Sequence, residues 1–330
     1  MTLPEDRAIG ALWAIRFEAG RGTALPDQAQ RACLDLGADG FAWLHFPLSD
    51  QRGRLFIERF TEMPDVVRAL LLGNEHRLQM HAAEGWAYGV LPDLERDFEG
   101  TAVDIGRLYF ALNPRYLITV RRHALQGVDD VRRAIEGGTT ADSTADLFVL
   151  LVERFVDLSE ARQQQLGTEL DSIEDRALSY QGDPSRLHVG PIRRELSRQH
   201  REFLGLRGAF HRALFHRGQA QQHLLTERIP PLTQQLEDFD RDATDLLERA
   251  RLMHEEIESQ VTATTNRSLR ALTILSTLMM PPTLVVGALG MNLHGLPWEA
   301  GAEGFWYATA FCIAVVLLAY LALKMFNILR

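Results

Sequence analysis

Two apolar runs near the end of the sequence are separated by ALGMNLHGLPWEAGAEGFWY. This stretch carries Gly290-Met291-Asn292, then His294, Glu299 and Glu303, and contains no lysine or arginine. The chemistry on offer is cation handling. An imidazole at His294 is suited to zinc or to a proton near neutral pH. Carboxylates at Glu299 and Glu303 would concentrate cations through their field rather than by tight coordination. A second group, His254-Glu255-Glu256, sits in a long polar stretch. It offers an imidazole and carboxylates to a metal, or is an exposed segment of a helix. The eleven histidines otherwise form no recognisable zinc centre. No helical His pair stands beside a carboxylate as in hydrolytic zinc sites, and His211 and His216, five apart, miss a common helix face. His45, in WLHF, reads as a strand residue with a satisfied imidazole. No nucleophile–base arrangement, Walker loop or dinucleotide fingerprint is present, so the sequence gives no sign of an enzyme, a prosthetic group or ATP-driven transport.

The elements that must position these groups begin with the apolar runs. Ala271 to Met291 has no charged residue, and its roughly 21 residues suffice to cross about 30 Å of hydrocarbon. Phe305 to Leu323 is also uncharged. The reading is a transmembrane helix at 271–291, an external loop at 292–304, a second transmembrane helix at 305–324 and a tail at 325–330. Arg267 and Arg270 precede the first span, while Lys324, the one lysine in the chain, and Arg330 follow the second. Positive flanks mark the cytoplasmic side, so both termini are expected inside and the acidic link outside. The N-terminal stretch predicts no secretory signal.

Upstream, residues 1–140 have the texture of a cytoplasmic α/β domain. LWAIRF, GFAWLHF, WAYGVL and RLYFALNPRYLITV read as strands, the last broken at Asn113-Pro114. ALPDQAQRACLDL and MPDVVRALLL have helical spacing. GGTTADST then ends that texture and supplies helix caps. Residues 141–270 read as a long-helix stalk. One helix runs from about Ala145 to Leu178, a second from about Pro191 to about Glu227, and a third starts near Pro231 and runs unbroken into the first span, about 90 Å in all. The third helix has a 3-4 apolar stripe at Leu236, Phe239, Ala243, Leu246, Ala250, Met253 and Ile257, which should pack against partner helices. Its remaining surface is acidic, either a solvated face or part of a cation route. With a net charge of −9 and pI about 5.7, the chain lacks the basic footprint of a nucleic-acid binder. Cys33 and Cys312 are too far apart in sequence to suggest a disulfide framework.

The first span is more than an anchor. Leu269, Thr273, Ser276, Met280, Thr283, Gly287 and Gly290 follow 4-3-4-3-4-3 spacing along one face, and the same stripe extends back through Asn266, Thr262, Ser259 and Glu255. In hydrocarbon, a stripe of hydroxyls, amides and small residues either packs closely on another helix or lines water. Two spans cannot enclose a pore, so the second alternative requires several subunits about an axis.

Gly290-Met291-Asn292 at the outer end of the first of two C-terminal spans resembles the signature of the CorA family of divalent-cation transporters. The long preceding helix, Pro281 and the α/β N-terminal domain extend the likeness over essentially the whole chain. FAWLHFPLSD and GMNLHGLPW are most similar to the ZntB zinc-transporter branch, although Glu299 and Glu303 make the loop more acidic than that branch usually shows. The resemblance implies an α+β membrane protein that is a homopentamer in the bacterial inner membrane, with the long helices forming a funnel. It implies that Asn292 forms a ring of amide oxygens at the outer mouth, that Gly290 permits a close turn there and that Met291 packs behind it. Asn266, Met280 and Thr283 match its pore-facing positions. It implies zinc as the transported ion, taken up along an ion or proton gradient, with magnesium, cobalt or nickel as alternatives. From another class, a membrane-tethered coiled-coil scaffold or sensor also fits the helices.

Overall fold

The computed structural model describes residues 9–37, 40–96, 102–178, 188–215, 223–291 and 304–325. The chain divides into two compact units: Met1–Leu178 with His188–Leu252, and Ser179–Leu187 with Met253–Arg330.

The first unit is built on a seven-stranded sheet. Its strands are β1 (Trp13–Glu18), β2 (Arg21–Leu25), β3 (Phe41–Pro47), β4 (Gln79–Ala83), β5 (Trp86–Arg96), β6 (Ala102–Leu112) and β7 (Tyr116–Arg121), in the order β2-β1-β3-β7-β6-β5-β4. The central β3–β7 pair is parallel and the other neighbours are antiparallel. All of Phe41 to Phe46 is buried, as expected of a strand covered on both faces. Alternation along β3 sends Phe41, Trp43 and His45 to one face and Leu44 and Phe46 to the other. Helices α1 (Gln51–Arg59) and α2 (Asp65–Leu72) lie on the Phe46 side. There Phe46 stacks on Phe56 at 5.4 Å, and Phe60 meets Tyr116 edge-on at 5.4 Å. Helices α3 (Gln126–Glu136) and α4 (Thr144–Leu178) lie on the Trp43 side, where Phe148 meets Phe110 at 4.9 Å and the Arg132 guanidinium sits 5.3 Å from the Trp13 ring.

The break at Asn113-Pro114 is where the sequence places it. Asn113 Oδ1 accepts from the N–H groups of Arg115 (2.9 Å) and Tyr116 (2.7 Å), and β6 and β7 pair across it. Several local expectations need correction. ALPDQAQRACLDL forms a 3-10 helix, Asp27–Leu34, rather than an α-helix. The sequence patterns also leave out β2, β4, α1 and α3. β2 and β4 are five-residue pieces, and α1 has Gly53 within its first turns, where a Cβ would come 2.9 Å from Phe46. The α3 amino end is fixed from a distance. Buried Asp93 on β5 accepts from Gly127 N–H (2.8 Å) and Val128 N–H (2.9 Å), capping a helix whose own Leu125 cannot.

Helices α4, α5 (Gly190–Phe215) and the first part of α7 (Ile229–Leu289) pack as three helices; a single turn, α6 (His223–Thr226), precedes α7. The described part of the second helix reaches Phe215, and residues 216–222 of its expected course to about Glu227 lie outside the described residues. The α7 stripe is buried as its spacing predicts: Leu236, Phe239, Ala243, Ala250 and Ile257 are buried and Leu246 and Met253 half-buried. Aromatic rings set the level at which the helices meet, with Phe155–Phe203 at 5.3 Å and Phe203–Phe239 at 3.9 Å. Beyond it, Arg162 Nε donates to Glu195 (2.6 Å) and Arg249 pairs with Asp171 (2.6 Å) and Glu174. Between the rings and the next leucines, Ser159, Gln163 and Gln199 are buried. Ser159 Oγ, both Gln163 amide atoms and Gln199 Oε1 have no hydrogen-bond partner among the described residues.

In the second unit, α7 continues to Leu289 and α8 (Gly304–Met325) follows. Both helices are long and apolar enough to cross a membrane. The expected continuous third helix is present as one 61-residue element that passes through Pro281 and Pro282 without ending.

Candidate functional site

The candidate site is the exposed face of α7. A proline has no N–H to give, so Pro281 and Pro282 leave the carbonyls of Thr277 and Leu278 without their helical donors. Threonine hydroxyls around this point bond to their own helix: Thr273 donates to Leu269 O (2.9 Å), Thr277 to Thr273 O (2.8 Å) and Thr283 to Met279 O (2.7 Å). Such bonds let polar residues sit in an apolar span. They also commit the hydroxyl proton to the helix and leave the oxygen as an acceptor, the polarity that a cation or its hydration water requires.

Asn266, Leu269, Thr273, Ser276, Met280, Thr283, Gly287 and Gly290 are all exposed. The half-buried positions of the same segment are Ile274, Leu278, Pro281, Pro282, Val285 and Leu289. At about 100° per residue the two sets are centred on nearly opposite sides of the helix. The hydroxyl, amide and glycine stripe thus lies opposite the half-buried positions, and the apolar flanks Leu272, Leu275, Leu284 and Val286 are exposed as well. A Cβ added at Gly287 would meet nothing within 4 Å, whereas at Gly290 that atom would lie 3.1 Å from Val286 O. Gly290 N–H donates to Val286 O (2.9 Å), closing the helix, and Met291 just beyond it is exposed. Asn292, His294, Glu299 and Glu303 lie outside the described residues.

The remaining sequence candidates are not assembled into a metal centre. His254 Nε2 lies 3.2 Å from Glu258, one turn on. No group of three or more His, Cys, Asp or Glu side chains suited to a metal occurs among the described residues. His45 is half-satisfied: Nδ1 bonds Thr119 Oγ1 at 2.8 Å, and the ring stacks on Trp13 at 4.0 Å. Its buried Nε2 has no hydrogen-bond partner among the described residues. Burial, reinforced by Arg121 and Arg132, holds its pKa well below the usual histidine range, so it is neutral. Most α7 acids are exposed, but Asp240 is engaged by His200 (2.6 Å) and Arg207 (3.7 Å). The polar stripe also reaches further than Glu255, where the sequence pattern ends it. The same 3-4 spacing continues back through Leu252, Glu248 and Asp245, all exposed, and that continuing period is the signal that finds them.

Comparison with known proteins agrees with this architecture. The model of the family described as CorA-like Mg2+ transporter protein matches residues 38–327. Zinc transport protein ZntB of Yersinia enterocolitica is 21% identical over 276 residues, covering 84% of this chain and 83% of that protein. The structure of full-length CmaX superposes with a TM-score of 0.79 at 18% identity, covering 98% of this chain and 99% of that one. The complete CorA magnesium transporter from Methanocaldococcus jannaschii gives 0.69 at 13% identity, covering 94% and 97%. Each of these two shares the fold of this chain from the sheet to the last helix. With a family match over most of its length, an exposed oxygen-bearing stripe on a 61-residue helix and two candidate spans, the chain belongs to the CorA family of divalent-cation transporters.

Proposed function

We propose that copies of this chain, five in number, surround a pore through the bacterial inner membrane and pass divalent cations, zinc before others. The observation that carries this reading is the open stripe from Asn266 to Gly290, set opposite the half-buried positions of α7. A monomer gains nothing by exposing Thr273, Ser276 and Thr283 in hydrocarbon, whereas subunits about an axis give those oxygens water and cations to face. The proposed division is a cytoplasmic α/β domain over 1–140, a stalk over 141–270, spans at 271–291 and 305–324, an external loop at 292–304 and a cytoplasmic tail at 325–330. Both termini are inside, as the basic flanks require.

Gly290, Met291 and Asn292 form the outer mouth, with Asn292 amide oxygens holding a hydrated ion. His294, Glu299 and Glu303 gather cations there. His254 and Glu255 belong only to the polar wall below, since His254 is engaged with Glu258. Zinc rests on the likeness to ZntB and on His294. Magnesium is the second reading, favoured by the family description. Uptake follows an ion or proton gradient.

Flux into proteoliposomes tests this. Zinc should enter faster than magnesium, and Asn292→Ala should reduce entry at least tenfold. Equal flux in wild type and variant would remove the mouth assignment, and faster magnesium entry would replace zinc.

A further inference from the structure

Inside the α4/α5/α7 packing, polar side chains stand where a helix seam ordinarily puts apolar ones. Contacts on either side fix their level. Between α4 and α5, Phe155 meets Phe203 and Arg162 meets Glu195. The two helices run antiparallel, so Ser159 and Gln199 lie opposite one another between those contacts, and Gln163 follows one turn on from Ser159. α7 closes the third side. Phe203 stacks on Phe239, and a Cβ at Gly167 would come 3.7 Å from Leu246, which places fully buried Ala243 level with Gln163 and Gln199. Ser159, Gln163 and Gln199 are 1%, 4% and 3% exposed. Ser159 Oγ, Gln163 Oε1 and Nε2 and Gln199 Oε1 have no hydrogen-bond partner among the described residues. The charged groups at the rim are taken up with each other: Arg162 donates to Glu195 (2.6 and 2.8 Å), and His200 Nδ1 lies 2.6 Å from Asp240.

We infer that this layer is a parting plane, at which α7 separates from the α4–α5 pair during cation transport, hinged at the ring level. A buried amide or hydroxyl without a partner raises the energy of the closed packing, and water meets its bonds once the plane opens. Opening an apolar level brings no such gain. The Phe155, Phe203 and Phe239 rings on one side and buried Leu166, Leu170 and Leu196 on the other would lose their contacts outright. The polar layer therefore narrows the gap between closed and open states at one level of the bundle. The ion pairs that cross the plane beyond the hinge are His200 and Arg207 to Asp240, and Arg249 to Asp171 and Glu174. All are at partly exposed positions, where water replaces a lost partner at small cost. The tie to transport rests on the pore reading above, since α7 carries the polar stripe as one continuous helix.

Hydrogen exchange read by mass spectrometry on the full-length protein in detergent tests the plane without any ion flux. Residues 157–165 of α4 and 196–202 of α5 should exchange about tenfold faster than the buried turns at 147–155 and 203–210. Gln163→Leu/Gln199→Leu should slow both segments to the rate of those turns. Ser159→Ala, which removes one unmet group with little change in volume, should slow them in part. Gln164→Leu, the same change at an exposed position of α4, should have no effect. Exchange in the layer no faster than in the flanking turns overturns the plane, as does a double variant that exchanges at the wild-type rate. Faster exchange in the double variant also overturns it, for the amides would then be bonded to enclosed water and holding the helices together. Zinc entry into proteoliposomes should fall about tenfold in the double variant. Slowed exchange with undiminished entry would overturn the link to transport. A wild type that passes no cation would instead remove the pore reading and leave the exchange result standing.

Discussion

Asp93 shows how much a single side chain can decide. It is fully buried, and burial pushes its carboxyl up to about 7 against the pull of three backbone donors, on Val128, Gly127 and Leu94. A folded value above the unfolded one means that the fold favours the protonated acid. That stabilisation is complete below about 3.8 and is lost as pH rises through about 7. Relative to Asp93→Asn, which does not titrate, wild type should lose on the order of 4 kcal/mol of stability between pH 4 and pH 8. A pH-independent difference in unfolding midpoints would show that the donors keep Asp93 ionised throughout. Gly127→Ala is a sharper probe of the same clamp. Helix propensity alone favours alanine by about 1 kcal/mol, but its Cβ would stand 2.5 Å from Asp93 Oδ1. We expect a net loss of about 1–3 kcal/mol in thermal unfolding. Nothing around Asp93 in the sequence announces this, because its acceptor role depends on residues 34 and 35 positions away.

Among the elements, the α4/α5/α7 packing and the α7 span behave differently. The buried Gln163 and Gln199 interrupt otherwise apolar seams beside the Phe155–Phe203–Phe239 level, and amide atoms without a partner among the described residues are costly to bury. Gln163→Leu/Gln199→Leu should therefore raise the thermal midpoint by about 2–4 °C. A fall would mean that the amides are satisfied by ordered water and contribute net stability. In the span, Gly287 has open space where a side chain would go. Gly287→Leu should leave the fold and thermal midpoint unchanged yet cut cation flux at least tenfold, since leucine would enter the proposed pore. Undiminished flux would turn that face away from the permeation path. The 3-4 spacing of α7 is readable from the sequence because helix periodicity is local. β2, β4 and α3 are not, because their stability comes from neighbours: β4 from pairing with β5, and α3 from Asp93.

At the scale of the whole molecule, the family match and the superposed folds account for one chain, while the proposed pore belongs to an assembly. Native mass spectrometry in detergent should give five copies. A monomer or dimer could not enclose a path along the Asn266–Gly290 stripe. Leu269, on that stripe and 55% exposed, should be protected from solvent-borne labels after cysteine substitution only in part, with divalent cations changing the rate. A half-buried position opposite the stripe, Leu278, should react more slowly and without a response to divalent cations.

The two apolar spans, their flanking charges, the continuous long helix and the polar stripe along it are legible without coordinates, since each depends on composition or on a period within one segment. So are the Gly290-Met291-Asn292 likeness and the family. Packing settled which positions of the span are half-buried, that His254 pairs with Glu258 and that buried His45 bonds Thr119 through Nδ1. These depend on packing between residues far apart in the chain, and a local pattern holds no record of which distant neighbour will supply the partner.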